Sequence, residues 1–143
     1  MRSALDEYLE RLKGKRVAVL GIGVSNRPLI DLLCQAGIAV TACDKRDRDS
    51  FNGLIEKLEA NGVSCHLGPD YLDHLDGMDV IFRTPGLRPD LPQLERAKAA
   101  GAELTSEMEA FFSVCPCRIL AVTGSDGKTT TTTIIAELLK AAG

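Results

Sequence analysis

Short, continuous apolar runs alternate along the chain with stretches whose apolar residues recur every three or four positions. The continuous runs predict strands buried on both faces of a parallel sheet, and the second pattern predicts amphipathic helices. The predicted strands cover residues 16–20, 38–43, 63–67, 79–83, 102–105 and 119–122. Helices are predicted before and between them, the first over residues 2–13. This order predicts an α/β fold with a doubly wound, mostly parallel sheet.

A glycine-containing turn, GIGVS at 21–25, joins the first predicted strand to the first crossing helix. Asp44 ends the second strand region, 21 positions beyond Gly23. This layout is Rossmann-like, although Asn26 stands where the dinucleotide fingerprint has its third glycine, which disfavours NAD. The backbone amides of Gly23, Val24 and Ser25 can still receive a diphosphate at the N-terminus of a helix.

Four further residues are candidate contacts of a nucleotide. Asp44 can accept hydrogen bonds from a ribose or a base, and Arg46 can contact a phosphate or stack on a base. Thr84 and Gly86 follow the predicted strand 79–83, and ligands of open α/β sheets bind at the carboxyl ends of the strands. Both loops have a plainer alternative, a tight turn without a ligand.

A second phosphate-binding sequence, TGSDGKTT, occupies positions 123–130 between the predicted strand 119–122 and an amphipathic helix predicted to follow it to residue 142. Its predicted ATP contacts are Gly124, Ser125, Asp126, Gly127, Lys128, Thr129 and Thr130. Glycines allow backbone amides to converge on an anion, Lys128 adds a positive charge, and the Thr129 hydroxyl is a candidate Mg²⁺ ligand. Val122 replaces the first glycine of the common motif. The alternative is a glycine-rich turn with a solvated lysine.

Two domains are predicted. Residues 1–105 form a complete substrate-binding domain, and residues 106–143 form the first β-α unit of a truncated P-loop domain. We expect this chain to bind nucleotide without catalysing a reaction, because further strands and an acidic metal partner are missing from it. The uncovered apolar face of that unit favours self-association.

Composition narrows the possible classes of function. The formal net charge is −3 and aromatic residues make up 4% of the chain, so neither nucleic acid nor an anionic membrane is an expected partner. No apolar run approaches the about 20 residues of a membrane span, and the N-terminus lacks the apolar segment of a signal peptide. The cytoplasm is therefore the expected compartment. Five scattered cysteines are consistent with reduced thiols there.

Together, GIGVS at 21–25, DKR at 44–46, TPG at 84–86 and TGSDGKTT at 123–130 resemble the Mur ligase family over the whole chain. The resemblance implies ATP- and Mg²⁺-dependent amide ligation in peptidoglycan synthesis, through an acyl phosphate. The implied substrates are UDP-N-acetylmuramoyl-L-alanine and D-glutamate. Lys128 and Thr129 would act on the phosphoryl group and Mg²⁺. The residues expected to bind the UDP portion are Gly23, Val24, Ser25, Asp44, Arg46, Thr84 and Gly86.

Two alternatives stay open. The first is an NAD-binding oxidoreductase domain, which leaves the second phosphate loop unexplained. The second is a free-standing, non-catalytic nucleotide-binding module, which the length of 143 residues permits.

Overall fold

The computed structural model describes residues 2–143. Five strands form one sheet in the order β3-β2-β1-β4-β5, and every neighbouring pair is parallel. The strands are β1 (Arg16–Leu20), β2 (Ala39–Asp44), β3 (Ser64–Leu67), β4 (Val80–Phe82) and β5 (Glu103–Thr105). The predicted α/β class and the doubly wound parallel sheet are confirmed.

Helices connect β1 to β2, β2 to β3 and β4 to β5, because a crossover is needed to return the chain for parallel pairing. The connection from β3 to β4, residues 68–79, consists of turns. The helices are α1 (Ala4–Leu12), α2 (Asn26–Gln35), α3 (Leu54–Ala60), α4 (Pro92–Ala99), α5 (Glu107–Val114) and α6 (Lys128–Ala142), with a 3₁₀ turn at Arg48–Phe51. Within residues 2–143, no helix has the length and hydrophobicity needed to cross a bilayer.

The sheet is buried on both faces, which explains the unbroken apolar runs. Val17 and Val19 of β1 pack in a cluster with α1, α2 and α3. Ala18 and Leu20, which alternate with them, pack in a second cluster with α4 on the opposite face. All four side chains are at most 1% exposed. β1 is therefore the middle strand of the sheet and is packed by helices on both faces.

The strand order reverses between β1 and β4. The chain passes outward from β1 through β2 to β3, then crosses to β4 and continues to β5 on the other side. The loops after β1 and β4 consequently leave the same sheet edge in opposite directions and open a crevice between them. Such a switch point is where ligands bind in open α/β sheets.

The predicted strand 119–122 is not formed. Ile119 and Leu120 lie in irregular backbone and are 41% and 58% exposed. A strand requires a neighbour for its amide and carbonyl groups, and none of the strands in residues 2–143 pairs with this segment. The strand half of the predicted β-α unit is therefore wrong for this chain.

The helix predicted after the second glycine loop is present as α6, but it has no buried residue. Hydroxyl groups of Thr132 and Thr133 donate to the carbonyl oxygens of Lys128 and Thr129, four residues earlier, at 2.8 and 2.9 Å. Two hydroxyl groups of the threonine run are thus satisfied within the helix. The apolar side chains of α6 remain exposed, and self-association stays a prediction.

A close contact at the switch point predicts an unusually sensitive glycine. Gly21 has a φ of +91°, and a Cβ atom placed on it would lie 2.5 Å from Thr84 Cγ2. Gly14 has a φ of +76° with nothing within 4 Å of such an atom. Gly14→Ala should therefore lower the free energy of unfolding by about 1–2 kcal/mol through backbone strain alone. Gly21→Ala should lower it by about 1–3 kcal/mol more, as overpacking does.

Urea unfolding of the two variants measures this difference, and Thr84→Ser in the Gly21→Ala background provides the control. Removing the Cγ2 methyl group should recover most of the additional loss. Equal stability of the two single variants would show that the contact between the loops contributes nothing.

Candidate nucleotide-binding site

Two neighbouring cavities lie at the switch point. The larger has a volume of about 370 Å³ and the smaller about 220 Å³. Gly23 and Thr84 line both, so the two cavities adjoin, and together they are called the crevice. The larger is also lined by Leu20, Gly21, Asp44, Lys45, Arg46, Tyr71, Gly86 and Leu87. The smaller is also lined by Val24, Ser25, Asn26, Arg83, Pro85, Ser106, Glu107 and Met108.

All seven residues predicted to bind the UDP portion line this crevice. The fold brings them together from three separate loops. Gly23, Val24 and Ser25 follow β1. Asp44 and Arg46 lie at the end of β2, and Thr84 and Gly86 follow β4. Their convergence follows from parallel pairing, which places the carboxyl ends of β1, β2 and β4 at one edge.

Asn26 holds the glycine turn in place. Its side chain is only 4% exposed, and its amide nitrogen donates to the carbonyl oxygens of Leu20 and Gly21 at 3.1 and 2.9 Å. The residue that breaks the dinucleotide fingerprint therefore has a structural role. It satisfies two carbonyl groups at the end of β1 and ties the start of α2 to them.

The backbone amide groups of residues 23–25, at the start of α2, form a candidate anion site. In the described chain, the amide groups of Gly23, Val24 and Ser25 have no protein acceptor, although Gly23 O accepts from Arg27 N at 3.2 Å. Ser25 is the N-cap of α2 and makes no capping hydrogen bond through its side chain. Unpaired amides at the start of a helix form a favourable site for a negative charge.

Asp44 and Arg46 form the opposite wall. The Asp44 carboxylate accepts from Ile22 N at 2.7 Å and from Arg46 N at 3.0 Å. The guanidinium of Arg46 donates to the same carboxylate from Nε at 3.0 Å and from Nη2 at 2.8 Å. Arg46 also stacks on the Phe51 ring, with its Cζ atom 4.3 Å from the centroid. The carboxylate is thus saturated by protein donors, and Arg46 presents a fixed, partly exposed cation.

These contacts keep Asp44 ionised. Burial alone would raise its pKa, but the hydrogen bonds from the Arg46 side chain, from Arg46 N and from Ile22 N outweigh burial and lower the pKa below the usual aspartate value. The negative charge of Asp44 therefore persists at neutral pH and orients Arg46.

Two glycines of the crevice are not required by the fold. Gly23 and Gly86 both lack a left-handed φ, and a Cβ atom on either would meet nothing within 4 Å. At Gly21, in contrast, the fold requires glycine, because a Cβ atom there would collide with Thr84. Space left open at Gly23 and Gly86 faces the cavities, where a bound molecule can approach the backbone closely.

The sequence reasoning did not identify Arg83 or Gly21 as site residues. Arg83 follows the last residue of β4 and lines the smaller cavity. An available signal was its position, because a cation directly after a buried parallel strand is placed at the ligand-binding edge.

The second glycine loop lies apart from this crevice and lines neither cavity. Gly124 and Gly127 have φ values of +147° and +74°, as a tight turn before a helix requires. The Lys128 ammonium group donates to the carbonyl oxygens of Gly124 and Ser125. Within residues 2–143, the amide groups at positions 124–127 have no protein acceptor. The loop therefore has the donors of a phosphate site.

The fold and the crevice define a doubly wound α/β domain with an open crevice at the switch point of its sheet. Residues 15–106 match the family model described as Mur ligase MurD-like, N-terminal domain. This match covers more than half of the chain, so the chain belongs to the MurD-like Mur ligases through that N-terminal domain. The resemblance predicted from the motifs is confirmed.

Similar proteins agree with this assignment. The chain is 54% identical over 143 residues to a UDP-N-acetylmuramoylalanine–D-glutamate ligase of Ruminiclostridium cellulolyticum, covering 100% of the chain and 31% of the relative. It is 52% identical over 143 residues to the ligase of that name from Clostridium botulinum strain Loch Maree, with the same coverage. The chain thus spans about a third of the length of these relatives.

A solved structure shows the same fold. The murein peptide ligase mpl from Psychrobacter arcticus superposes with a TM-score of 0.59 at 27% sequence identity. The superposition covers 91% of this chain and 27% of that one.

The Asp44 network predicts a pH-dependent contribution to stability. Asp44→Asn preserves the shape of the side chain but directs an NH₂ group at existing donors, so it should lower the free energy of unfolding by about 1–3 kcal/mol at pH 7. The contribution is complete above the unfolded-state pKa of about 4 and is lost as the pH falls through the lower folded-state pKa. Urea unfolding at pH 7 and in acid should show the difference between wild type and variant shrinking.

Asp90→Asn is the matched control, because Asp90 pairs with Arg88 at the exposed surface. It should leave the stability at pH 7 nearly unchanged. A difference between Asp44→Asn and wild type that is the same at both pH values would contradict the assigned role of the ionised carboxylate.

Proposed function

We propose that this chain is the UDP-substrate-binding, N-terminal part of an ATP-dependent ligase that adds D-glutamate to UDP-N-acetylmuramoyl-L-alanine in peptidoglycan synthesis. The single observation that carries the proposal is the crevice at the switch point, where unpaired amides at 23–25 face open space beside Gly23 and Gly86. The names of the relatives supply the substrates of the whole protein.

The division of the crevice supports an orientation for the ligand. The larger cavity contains Arg46, whose guanidinium is fixed by Asp44 and carries donors at its exposed edge, and this wall suits the uridine end. Gly23 and Thr84 line both cavities, which supports a position for the diphosphate at the start of α2. The sugar and its peptide then extend through the smaller cavity.

ATP and Mg²⁺ belong to the second loop in this proposal. The amides of Gly124, Ser125, Asp126, Gly127 and Thr130, with the Lys128 ammonium, would hold the phosphates. The Thr129 hydroxyl would be one Mg²⁺ ligand. Within residues 2–143, no cluster of three His, Cys, Asp or Glu side chains could hold a metal ion.

The proposed domains are those predicted from the sequence, residues 1–105 for the UDP substrate and 106–143 for the start of the ATP-binding domain. In the whole ligase, ATP would phosphorylate the substrate carboxylate, and the D-glutamate amine would attack the resulting acyl phosphate. Lys128 would stabilise negative charge on the transferring phosphoryl group. This chain by itself would bind nucleotide without catalysing the reaction in its cytoplasmic setting.

An NAD-binding domain is the competing function. The buried Asn26 side chain occupies the place of the third fingerprint glycine, whose small size allows close packing of helix and strand. Calorimetry with UDP-N-acetylmuramoyl-L-alanine and with NADH separates the two functions. Tight NADH binding without uridine-nucleotide binding would replace the ligase proposal with an oxidoreductase one, whereas a free-standing module would bind nucleotide in a reading frame that ends at Gly143.

Gly23→Ala should separate binding from folding. The added methyl group meets no protein atom within 4 Å, so the stability should change by less than about 1 kcal/mol. It projects into the crevice at the proposed diphosphate position, so the affinity for UDP measured by calorimetry should fall at least about tenfold. Gly14→Ala is the matched control, since it strains the backbone far from the crevice and should lower stability while UDP affinity is retained. Unchanged UDP affinity of Gly23→Ala would remove the diphosphate from this turn.

Lys128→Met should abolish ligation in the full-length protein. Loss of the ammonium group removes charge stabilisation of the phosphoryl group, and the rate of D-glutamate-dependent phosphate release should fall at least about a hundredfold. Binding of the UDP substrate should be unchanged, because Lys128 lines neither cavity of the crevice. Lys140→Met, on the same helix and paired with Glu137 at 2.8 Å, is the control and should retain activity. Full activity of Lys128→Met would exclude the loop from catalysis.

A further inference from the structure

Arg83 is placed at the ligand-binding edge by the strand that precedes it. It directly follows β4, and its backbone amide donates to Thr105 O of the neighbouring strand at 2.9 Å. This pairing fixes the direction in which the side chain leaves the sheet. The half-buried side chain lines the smaller cavity and not the larger one.

One nitrogen of the Arg83 guanidinium is used to hold the loop after β4. Nη1 donates to Leu87 O at 3.1 Å and to Thr84 O at 3.4 Å. These bonds lie across the turn that carries Gly86. They fix the position of the guanidinium, which removes part of the entropy cost of binding an anion.

The other edge of this guanidinium is available. Nε and Nη2 of Arg83 have no acceptor among residues 2–143, and no carboxylate of the described chain lies within 4.0 Å of it. The same pair of nitrogens binds a carboxylate in Arg46, at 3.0 and 2.8 Å, and in Arg88, at 3.0 and 2.5 Å. Arg83 therefore retains the bidentate edge with which Arg46 and Arg88 bind carboxylates.

An anion in the smaller cavity would be contacted from two sides. The amides of Val24 and Ser25 belong to the loop after β1, and Arg83 belongs to the loop after β4. Planar guanidinium groups match phosphate oxygens in a two-bond arrangement that is stronger than a neutral hydrogen bond. Glu107, which lines the same cavity, forms no ion pair with Arg83.

We propose that Arg83 is a specificity-determining residue. Through its Nε–Nη2 edge it binds the second phosphate of a nucleoside diphosphate, the one farther from the nucleoside. This inference rests on the proposed binding of the UDP portion. Arg46 lines the larger, nucleoside-side cavity, whereas Arg83 lines only the smaller one, so the two arginines contact different parts of the ligand. Arg83 thereby favours a diphosphate over a monophosphate of the same nucleoside.

The test compares UDP with UMP by calorimetry on the 143-residue chain. Arg83→Met should reduce the affinity for UDP by about tenfold to a hundredfold, which corresponds to the loss of hydrogen bonds to a charged group. The affinity for UMP, which lacks the second phosphate, should change less than about twofold. Arg83→Lys keeps the charge but not the bidentate edge and should give an intermediate loss for UDP.

Arg88→Met is the matched control, because Arg88 lies in the same loop and is already paired with Asp90. It should leave the affinities for UDP and UMP unchanged. Thermal unfolding of each variant verifies that the fold is retained.

The outcomes distinguish this inference from the proposed function. A similar loss for UDP and UMP in Arg83→Met would show that Arg83 only holds the loop, and unchanged UDP affinity would show that it contacts no phosphate; either result overturns the inference while the uridine site stands. Failure of the wild-type chain to bind either nucleotide would instead overturn the proposed function, and the inference with it.

Discussion

The contact between the turn after β1 and the loop after β4 determines the shape of the crevice. Thr84 can approach only because Gly21 has no side chain, and the left-handed φ of Gly21 turns the chain away from β1 at that point. Asn26 then fixes the turn by donating to the carbonyl groups of Leu20 and Gly21. Both cavities share this junction, so its geometry sets the separation of their walls.

Charge is distributed unevenly around this junction. On the β2 side, the positive charge of Arg46 is paired with a buried, ionised Asp44, and Lys45 lines the same cavity. On the β4 side, Arg83 is held by backbone carbonyl groups and keeps its full charge. The amide groups at the start of α2 add a partial positive charge between them. A ligand with a neutral ring at one end and a diphosphate in the middle complements this distribution.

Local sequence pattern was sufficient for the sheet and for seven of the residues that line the crevice, but not for the segment 119–122. Continuous apolar runs indicated strands buried on both faces, and glycine directly follows β1 and β3, at Gly21 and Gly68. Ile119 and Leu120 have the same apolar pattern and nevertheless lie exposed in irregular backbone. Apolar pattern indicates that a segment can pair, whereas pairing itself requires a neighbouring strand that the five-stranded sheet does not offer.

The sequence by itself determined the class of fold, the two glycine loops and the family, because these depend on residue types at short spacings along the chain. Only the tertiary structure decided which side chains are free to bind. The Asp44 carboxylate accepts hydrogen bonds from Ile22 and Arg46, and the buried Asn26 side chain donates to the carbonyl group of Leu20. Arg83 donates to Leu87 O through Nη1 and leaves Nε and Nη2 without a protein acceptor. These roles depend on partners as many as 24 residues away, such as Ile22 O for Arg46 Nη2, and sequence spacing does not encode such partners.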